Sequence, residues 1–188
     1  NSIVGKKSWY RPKIIINCCG ITKHNPNIQN KEEVIYINAL FPHVLARISN
    51  KHNAKLIHIS TDCVFSGSKG LYDENSDKDA NDFYGKTKSL GELNDMNNLT
   101  LRTSTIGHEA FTSLGLLNWF LDQKKCLGYT KAIFSGPTTL ELAKIIKNQV
   151  LTNSSLTGLL NIAAKPIDKF TLLGIIKKVY SLNTIIEP

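Results

Sequence analysis

Two short apolar runs, separated by one long helical pattern, constrain the fold of this chain more than any other feature. The first run covers residues 13–19 and is closed by Gly20, and the second covers residues 55–60. The first run is continuous and typical of a strand buried on both faces of a parallel sheet, and the second run predicts another strand. Apolar side chains at helical spacing predict a helix over residues 31–50, in which Pro42 should cause a kink or mark the start.

The rest of the chain continues this alternation of strands and helices. We predict a polar loop over residues 61–82, a helix over 84–93 and a third strand over 99–103. Further helices are predicted over residues 113–122, 138–150 and 170–180, with a strand over 158–163. The order of these elements predicts right-handed crossovers and a doubly wound α/β parallel sheet.

The charge of the chain favours a small anionic ligand over a nucleic acid. The 188 residues carry a formal charge of +8, and the basic residues comprise 20 Lys and 3 Arg spread along the chain. Proteins that read nucleic acids usually concentrate Arg, whose fork suits phosphates and base edges. We therefore expect no nucleic-acid partner, although the positive charge should help to attract a nucleotide.

The cysteines and the hydropathy pattern indicate a cytoplasmic protein without a membrane span. Cys18, Cys19, Cys63 and Cys126 show neither paired spacing nor a Cys/His cluster, so we expect free thiols in a reducing compartment and no metal site. Because no apolar run approaches 18 residues, we expect no segment that spans a membrane.

A tyrosine and a lysine one helical turn apart give the strongest functional signal. Tyr84 and Lys88 fall on one face of a predicted helix, 23 residues after Thr61, which follows the second strand. Reduction of a ketone by hydride transfer leaves charge on oxygen, and that oxygen needs a proton. A cation about 4 Å away is worth roughly 4 kcal/mol at an effective dielectric of 20, so Lys88 should lower the pKa of Tyr84 toward neutrality.

In this interpretation the Thr61 hydroxyl holds the substrate oxygen, and a nicotinamide cofactor supplies the hydride. The spacing alone leaves a second interpretation open, in which Tyr84 is a half-buried helix residue, Lys88 a solvated neighbour and Thr61 the start of a loop.

Three segments of the sequence resemble the extended short-chain dehydrogenase/reductases. Residues 57–67 read I-H-I-S-T-D-C-V-F-S-G, residues 84–92 read Y-G-K-T-K-S-L-G-E, and residues 101–104 read L-R-T-S. Within that superfamily they are most similar to the dTDP-4-dehydrorhamnose reductase group, which makes deoxysugar nucleotides. The resemblance implies a Rossmann-like fold and the NAD(P)H-dependent reduction of a 4-keto-6-deoxy sugar nucleotide, in deoxysugar or surface polysaccharide biosynthesis.

The resemblance also implies a role for individual residues. Thr61, Tyr84 and Lys88 would be catalytic, with Tyr84 as the acid. The cofactor, NADPH or NADH, would contact the following residues: Cys18, Cys19, Gly20, Tyr84, Lys88 and Thr103. The substrate would contact another set: Thr61, Asp62, Cys63, Ser104 and Thr105. Asn38 occupies a position that the superfamily often uses in a proton relay, but a packing or capping role is equally compatible with the sequence.

The sequence departs from the family pattern in ways that bear on its organisation and substrate. The glycine-rich turn of the family should lie upstream of Asn1, so we expect an incomplete Rossmann-like core over residues 1–104 that lacks the first glycine-rich βαβ portion. Residues 105–188 should supply the rest of the sheet and a small α+β substrate-binding part. Cys63 and Thr105 stand where rhamnose reductases often have aromatic residues, which leaves room for a related sugar.

Two alternatives to a reductase remain open at this point. An epimerase of the same superfamily shares the Tyr/Lys pair and differs in showing no net oxidation of cofactor. A non-catalytic regulatory or binding subunit, similar to the regulatory partners of methionine adenosyltransferase, would need no turnover. A dehydratase is not expected, because Cys63 follows Asp62 where dehydratases usually have a Glu. A homodimer is a possible assembly.

Overall fold

The core of the molecule is a parallel sheet of four strands. The computed structural model describes residues 12–110 and 112–188, so residues 1–11 and Phe111 of the two predicted parts lie outside it. Within the sheet, the strands β1 (Ile14–Asn17), β2 (Lys55–Ser60), β3 (Leu99–Arg102) and β6 (Gly158–Asn161) lie side by side in that order. All neighbouring pairs are parallel, so the carboxyl ends of the strands lie at one edge of the sheet.

Helices cover both faces of this sheet. Alternate residues of β2 point to opposite faces, and each set packs against a different helix. Leu56 packs with Ala46 and Leu93 on one face. Ile57 packs with Leu99, Leu101 and Val150 on the other face. The predicted doubly wound α/β sheet is therefore confirmed.

A single long helix connects β1 with β2 and contains an irregular middle section. It starts with α1 (Lys31–Val34), continues in π form over Ile35–Leu40 and ends with α2 (Phe41–Lys51). Pro42, at the start of α2, has no backbone N–H to donate into the preceding turn, and the wider π turn lies immediately before it. Of the two outcomes expected for Pro42, the structure shows the start of an α-helical segment.

The remaining helices agree with the sequence patterns in position and differ by a few residues at their ends. These are α3 (Phe83–Leu90), α4 (Leu116–Leu121), α5 (Thr139–Ile145), which continues in π form over Ile146–Val150, and α6 (Lys169–Val179). The Thr138 hydroxyl accepts a hydrogen bond from the backbone N–H of Glu141 at 3.1 Å, as the capping signal predicts.

Four short strands in the second half of the chain were not predicted. β4 (Lys125–Leu127) pairs in parallel with β8 (Ile185–Glu187), and β5 (Ile133–Phe134) pairs antiparallel with β7 (Ile167–Asp168). Strands of two or three residues are too short to show an alternating pattern. Cys126 of β4 and Ile186 of β8 pack against a second apolar cluster built from Leu117, Phe120, Leu173 and Ile176.

The expectation that the first strand is buried on both faces is wrong. Ile14 and Ile16 are 36% and 42% exposed, and Asn17 is the one buried residue of β1. β1 is the edge strand of the described sheet, so part of its surface has no neighbour there. The strand also ends at Asn17, so Cys18 and Cys19 follow it instead of belonging to it.

No helix in residues 12–110 or 112–188 combines the length and apolar character that crossing a bilayer requires.

Candidate active site

Thr61 is the first residue after β2, and it shapes the turn that follows. Its hydroxyl accepts a hydrogen bond from the backbone N–H of Cys63 at 3.1 Å and caps a short 3-10 helix, Asp62–Val64. The same hydroxyl donates to Asp62 Oδ1 at 3.3 Å. Thr61 is buried, Cys63 is half-buried and Asp62 is exposed, so the turn presents Asp62 at the surface.

Close packing of α3 against this turn brings Tyr84 to Thr61. The Asp82 side chain caps α3 by accepting a hydrogen bond from the backbone N–H of Gly85 at 2.8 Å. A Cβ added at Gly85 would lie 2.3 Å from the carbonyl oxygen of Cys63, so only glycine allows the helix to approach so closely. Since Tyr84 precedes Gly85, its phenol comes within reach of the Thr61 side chain.

The environment of Tyr84 keeps its phenol protonated. Burial raises the pKa of Tyr84 to about 12, the Thr61 side chain lowers it, and Cys63, Asp62 and Asp82 raise it further. The expected lowering of the Tyr84 pKa toward neutrality is therefore wrong for this structure, because burial dominates and Lys88 is not among the main groups that shift this pKa.

The Lys88 ammonium lies at the carboxyl end of β2. It is 4% exposed, and its Nζ donates a hydrogen bond to the carbonyl oxygen of Ile59 at 2.9 Å. Burial lowers the pKa of Lys88 to about 8, whereas Glu92, Cys18 and Cys19 raise it. Lys88 is thus a buried cation that titrates near neutrality.

The residues after β1 meet Lys88 from the neighbouring strand. A Cβ added at Gly20 would lie 3.8 Å from Lys88 Nζ and 3.6 Å from Asn38 Oδ1. Cys18 and Cys19 are exposed at the surface. Partial burial and the neighbouring Cys19 raise the pKa of Cys18, whereas Lys88 lowers it, and the net change is an increase. The structure therefore brings these three residues together with Lys88, and their contact with the cofactor stays a prediction.

Asn38 connects this segment to α3. Its Oδ1 accepts from the backbone N–H of Ile21 at 2.8 Å, and its Nδ2 donates to the Ile21 carbonyl at 2.9 Å and to Thr87 Oγ1 at 3.4 Å. A Cβ added at Gly91 would lie 2.0 Å from the Asn38 carbonyl oxygen, so the two helices also touch through their backbones. Of the roles left open for Asn38, these contacts favour packing.

The residues after β3 lie at the same edge of the sheet, because β3 pairs with β2. Thr103 is buried, and its hydroxyl donates to the Ser104 carbonyl at 2.9 Å. Ser104 is half-buried and Thr105 is exposed. Within residues 12–110 and 112–188, no hydrogen bond joins these three residues to Thr61, Tyr84 or Lys88, so their assignment to cofactor and substrate stays a prediction.

A buried ion pair beside Lys88 was missed in the sequence. Arg102, at the end of β3, donates to both oxygens of Glu92 at 2.8 Å, and each side chain is at most 3% exposed. The Arg102 guanidinium also lies 4.9 Å from the centroid of the Phe65 ring, which stacks on Tyr72 at 4.3 Å. Glu92 stands four residues after Lys88, a spacing that could have indicated it.

The site fits the nicotinamide end of a dinucleotide. Gly20 has no side chain to fill the space beside Lys88 Nζ, and an ammonium has three N–H groups, of which Ile59 uses one. The remaining donors suit the hydroxyl groups of a ribose. Among the described residues, no group of three His, Cys, Asp or Glu side chains could hold a metal ion.

Comparison with known proteins identifies the family. The sequence profile described as the RmlD substrate binding domain matches residues 5–109, more than half of the chain. The chain belongs to this family.

Among characterised relatives, the spore coat polysaccharide biosynthesis protein SpsK of Bacillus subtilis (strain 168) is 35% identical over 99 residues, which are 52% of this chain and 34% of that protein. The dTDP-4-dehydrorhamnose reductase of Aggregatibacter actinomycetemcomitans is 28% identical over 135 residues, 69% of this chain and 46% of that protein. The chain therefore spans about a third to a half of the length of these relatives.

A solved structure of the same group has the same fold. The dTDP-4-dehydrorhamnose reductase of Bacillus anthracis str. Ames, in complex with NADP, superposes with a TM-score of 0.81 at 25% identity. The match covers 95% of this chain and 66% of that one.

Proposed function

We propose that this chain carries the catalytic side chains of an NAD(P)H-dependent reductase that acts on a 4-keto-6-deoxy sugar nucleotide, in deoxysugar or surface polysaccharide biosynthesis. The observation that carries the proposal is that the Tyr84 phenol lies within reach of Thr61, while Lys88 donates to Ile59 at the same carboxyl edge of the sheet, where ligands bind in open α/β folds. The names of the relatives support the substrate class.

Tyr84 acts as the general acid in this proposal. When bound, the nicotinamide cofactor supplies the hydride. The alkoxide left on the sugar is a stronger base than a phenolate, since an alcohol is a weaker acid than a phenol. A phenol whose pKa is raised to about 12 therefore still gives up its proton in the favourable direction, and it is fully protonated at neutral pH.

Thr61 and Lys88 prepare the same proton transfer. The Thr61 hydroxyl lies beside the phenol and holds the substrate oxygen where charge develops. Lys88, with one N–H donated to Ile59, uses its other donors for the ribose of the cofactor. Asp62, Cys63, Ser104 and Thr105 line the sugar side, and Cys18, Cys19, Gly20 and Thr103 line the cofactor side.

The same proposal covers the domain organisation and the cellular compartment of the protein. Residues 1–104 hold the cofactor, and residues 105–188 contribute the remaining sheet and the substrate-binding part. Because all four cysteines are free thiols, we place the protein in the cytoplasm.

The direct test is an assay of the full translated product of the gene with a dTDP-linked 4-keto-6-deoxy sugar and either NADPH or NADH. Stoichiometric oxidation of the cofactor with formation of a reduced sugar nucleotide is the expected result. Conversion of the sugar without net oxidation would identify an epimerase instead. Binding of cofactor without any conversion, together with a tightly co-purifying protein, would identify a regulatory subunit.

A further inference from the structure

We propose that Glu92 is a positioning residue of this site, whose carboxylate joins Ser60, Lys78 and Arg102 and sets Lys88 against the end of β2. The inference rests on the proposed function, since it concerns how the catalytic lysine is held and charged. Nothing in the motif Tyr84–Lys88 requires a carboxylate one turn further on.

The carboxylate is the meeting point of three elements. Ser60 Oγ, at the end of β2, donates to Glu92 Oε1 at 2.8 Å. Arg102, at the end of β3, donates through Nε and Nη2 at 2.8 Å each. Lys78 Nζ, from the long loop, lies 3.3 Å from Oε2. Glu92 is therefore held by the ends of β2 and β3 and by the loop over residues 61–82.

Lys88 and Glu92 form hydrogen bonds with consecutive residues of β2. Lys88 donates to the Ile59 carbonyl, and Glu92 accepts from the Ser60 hydroxyl. Thr61 is the next residue along the chain. Because both contacts fix the end of β2 relative to α3, they also fix the separation of Thr61 from Tyr84.

The charges around Lys88 make Glu92 its main anionic neighbour. Glu92 is the largest influence that favours the charged lysine, ahead of Cys18 and Cys19 from the segment after β1. From β2, His58 faces Lys88 as a neutral ring, because burial lowers the His58 pKa to about 3. Arg102 and Lys78 face Glu92 and not Lys88 in this arrangement. Loss of the Glu92 charge should therefore lower the pKa of Lys88, because only the weaker influences of Cys18 and Cys19 would still favour its charged form.

The test is a titration of Lys88 that does not depend on activity. Lysine labelled with 13C at Cε is incorporated, the Lys88 signal is assigned by Lys88→Met, and its chemical shift is followed against pH by NMR. We expect a midpoint of about 8 in the wild type. We expect it to fall by roughly one pH unit in Glu92→Gln, because Gln keeps the shape and removes the charge. Glu141→Gln, which removes an exposed glutamate paired with Lys144, should leave the midpoint unchanged.

A second variant guards against misfolding, since Glu92→Gln leaves a buried guanidinium without its ion pair. Glu92→Gln combined with Arg102→Met removes both charges, and the Lys88 midpoint should again fall because Glu92, and not Arg102, is among the main charges that act on the Lys88 pKa. An unchanged midpoint in either folded variant, judged by circular dichroism, would overturn the proposal.

The pH dependence of enzyme activity provides a second, independent measurement. If the gene product reduces keto sugars, the alkaline limb of its rate profile should move to lower pH in the Glu92→Gln variant, by the same shift as the NMR midpoint. If the wild type shows no turnover, the proposed function fails, and the NMR result still decides the role of Glu92.

Discussion

Gly85 is the residue on which the meeting of Tyr84 and Thr61 depends. A Cβ added at Gly85 would lie 2.3 Å from the Cys63 carbonyl oxygen, which is too close for any residue other than glycine. Gly85→Ala should destabilise the fold by about 1–3 kcal/mol, because the gain in helix propensity is smaller than the cost of moving backbone away from backbone. Urea unfolding measures this difference.

Gly174 in α6 provides the matched control, since an added Cβ there meets no atom within 4 Å. Gly174→Ala should stabilise the protein by about 0.4–1 kcal/mol. Equal effects of the two substitutions would show that α3 does not press on the Cys63 turn.

His58 should make stability fall in mild acid. It is fully buried in β2, its Nδ1 lies 3.1 Å from Asn17 Nδ2, and burial lowers its pKa from 6.5 to about 3. The unfolded chain therefore binds a proton that the folded chain does not, in the window from about pH 6.5 down to about 3. The contribution of His58 is complete above pH 6.5 and is lost as the pH falls, at up to about 1.4 kcal/mol per pH unit.

Urea unfolding at pH 7, 6 and 5 checks this slope. His58→Asn should show a flatter dependence than the wild type over that range. A wild-type slope in His58→Asn would contradict the assignment.

At the scale of elements, the long loop over residues 61–82 is held down by specific contacts. Phe65 stacks on Tyr72 at 4.3 Å, and the Tyr72 hydroxyl accepts from the Lys69 backbone N–H at 3.1 Å. Glu74 Oε1 accepts from the backbone N–H of Asn161 at 2.7 Å, at the end of β6. The loop thus crosses the carboxyl edge of the sheet, where the proposed active site lies.

Tyr72→Ala should open this loop. An aromatic pair contributes about 0.5–1.5 kcal/mol beyond its buried area, so the open population should rise roughly 2- to 10-fold. Trypsin cleavage after Lys69 reports that population when opening is faster than cleavage. Tyr129→Ala, at a tyrosine that is 57% exposed, should cleave at the wild-type rate. An unchanged rate in Tyr72→Ala would show that the stack does not restrain the loop.

Elements with a long periodic pattern could be predicted from the sequence, and those fixed by distant contacts could not. β2 was predicted with its observed limits, and the helix after β1 was predicted within one residue, because burial of one face leaves a clear pattern. β4, β5, β7 and β8 depend on pairing between distant segments, which no local pattern records. The exposure of β1 depends on its position in the sheet, which its apolar sequence does not contain.

At the scale of the whole molecule, the same distinction applies to the site. Thr61, Tyr84 and Lys88 could be placed near one another because strand ends and helical spacing follow from local sequence. The direction of the Tyr84 pKa could not, because it depends on burial created by the packing of α3 on the turn after β2. Arg102 was missed as the partner of Glu92 for a related reason. Glu92 follows α3, and it meets Arg102 beside Ser60, which the register of β2 and β3 places opposite Arg102.

The measurement that tests the account most directly is the turnover of the Tyr84→Phe variant of the full gene product, with a 4-keto-6-deoxy sugar nucleotide and NADPH. Loss of the proton donor should lower kcat by about 10²- to 10⁴-fold, whereas Tyr129→Phe should retain wild-type kcat. A Tyr84→Phe variant that turns over at the wild-type rate would contradict the claim that this phenol protonates the substrate.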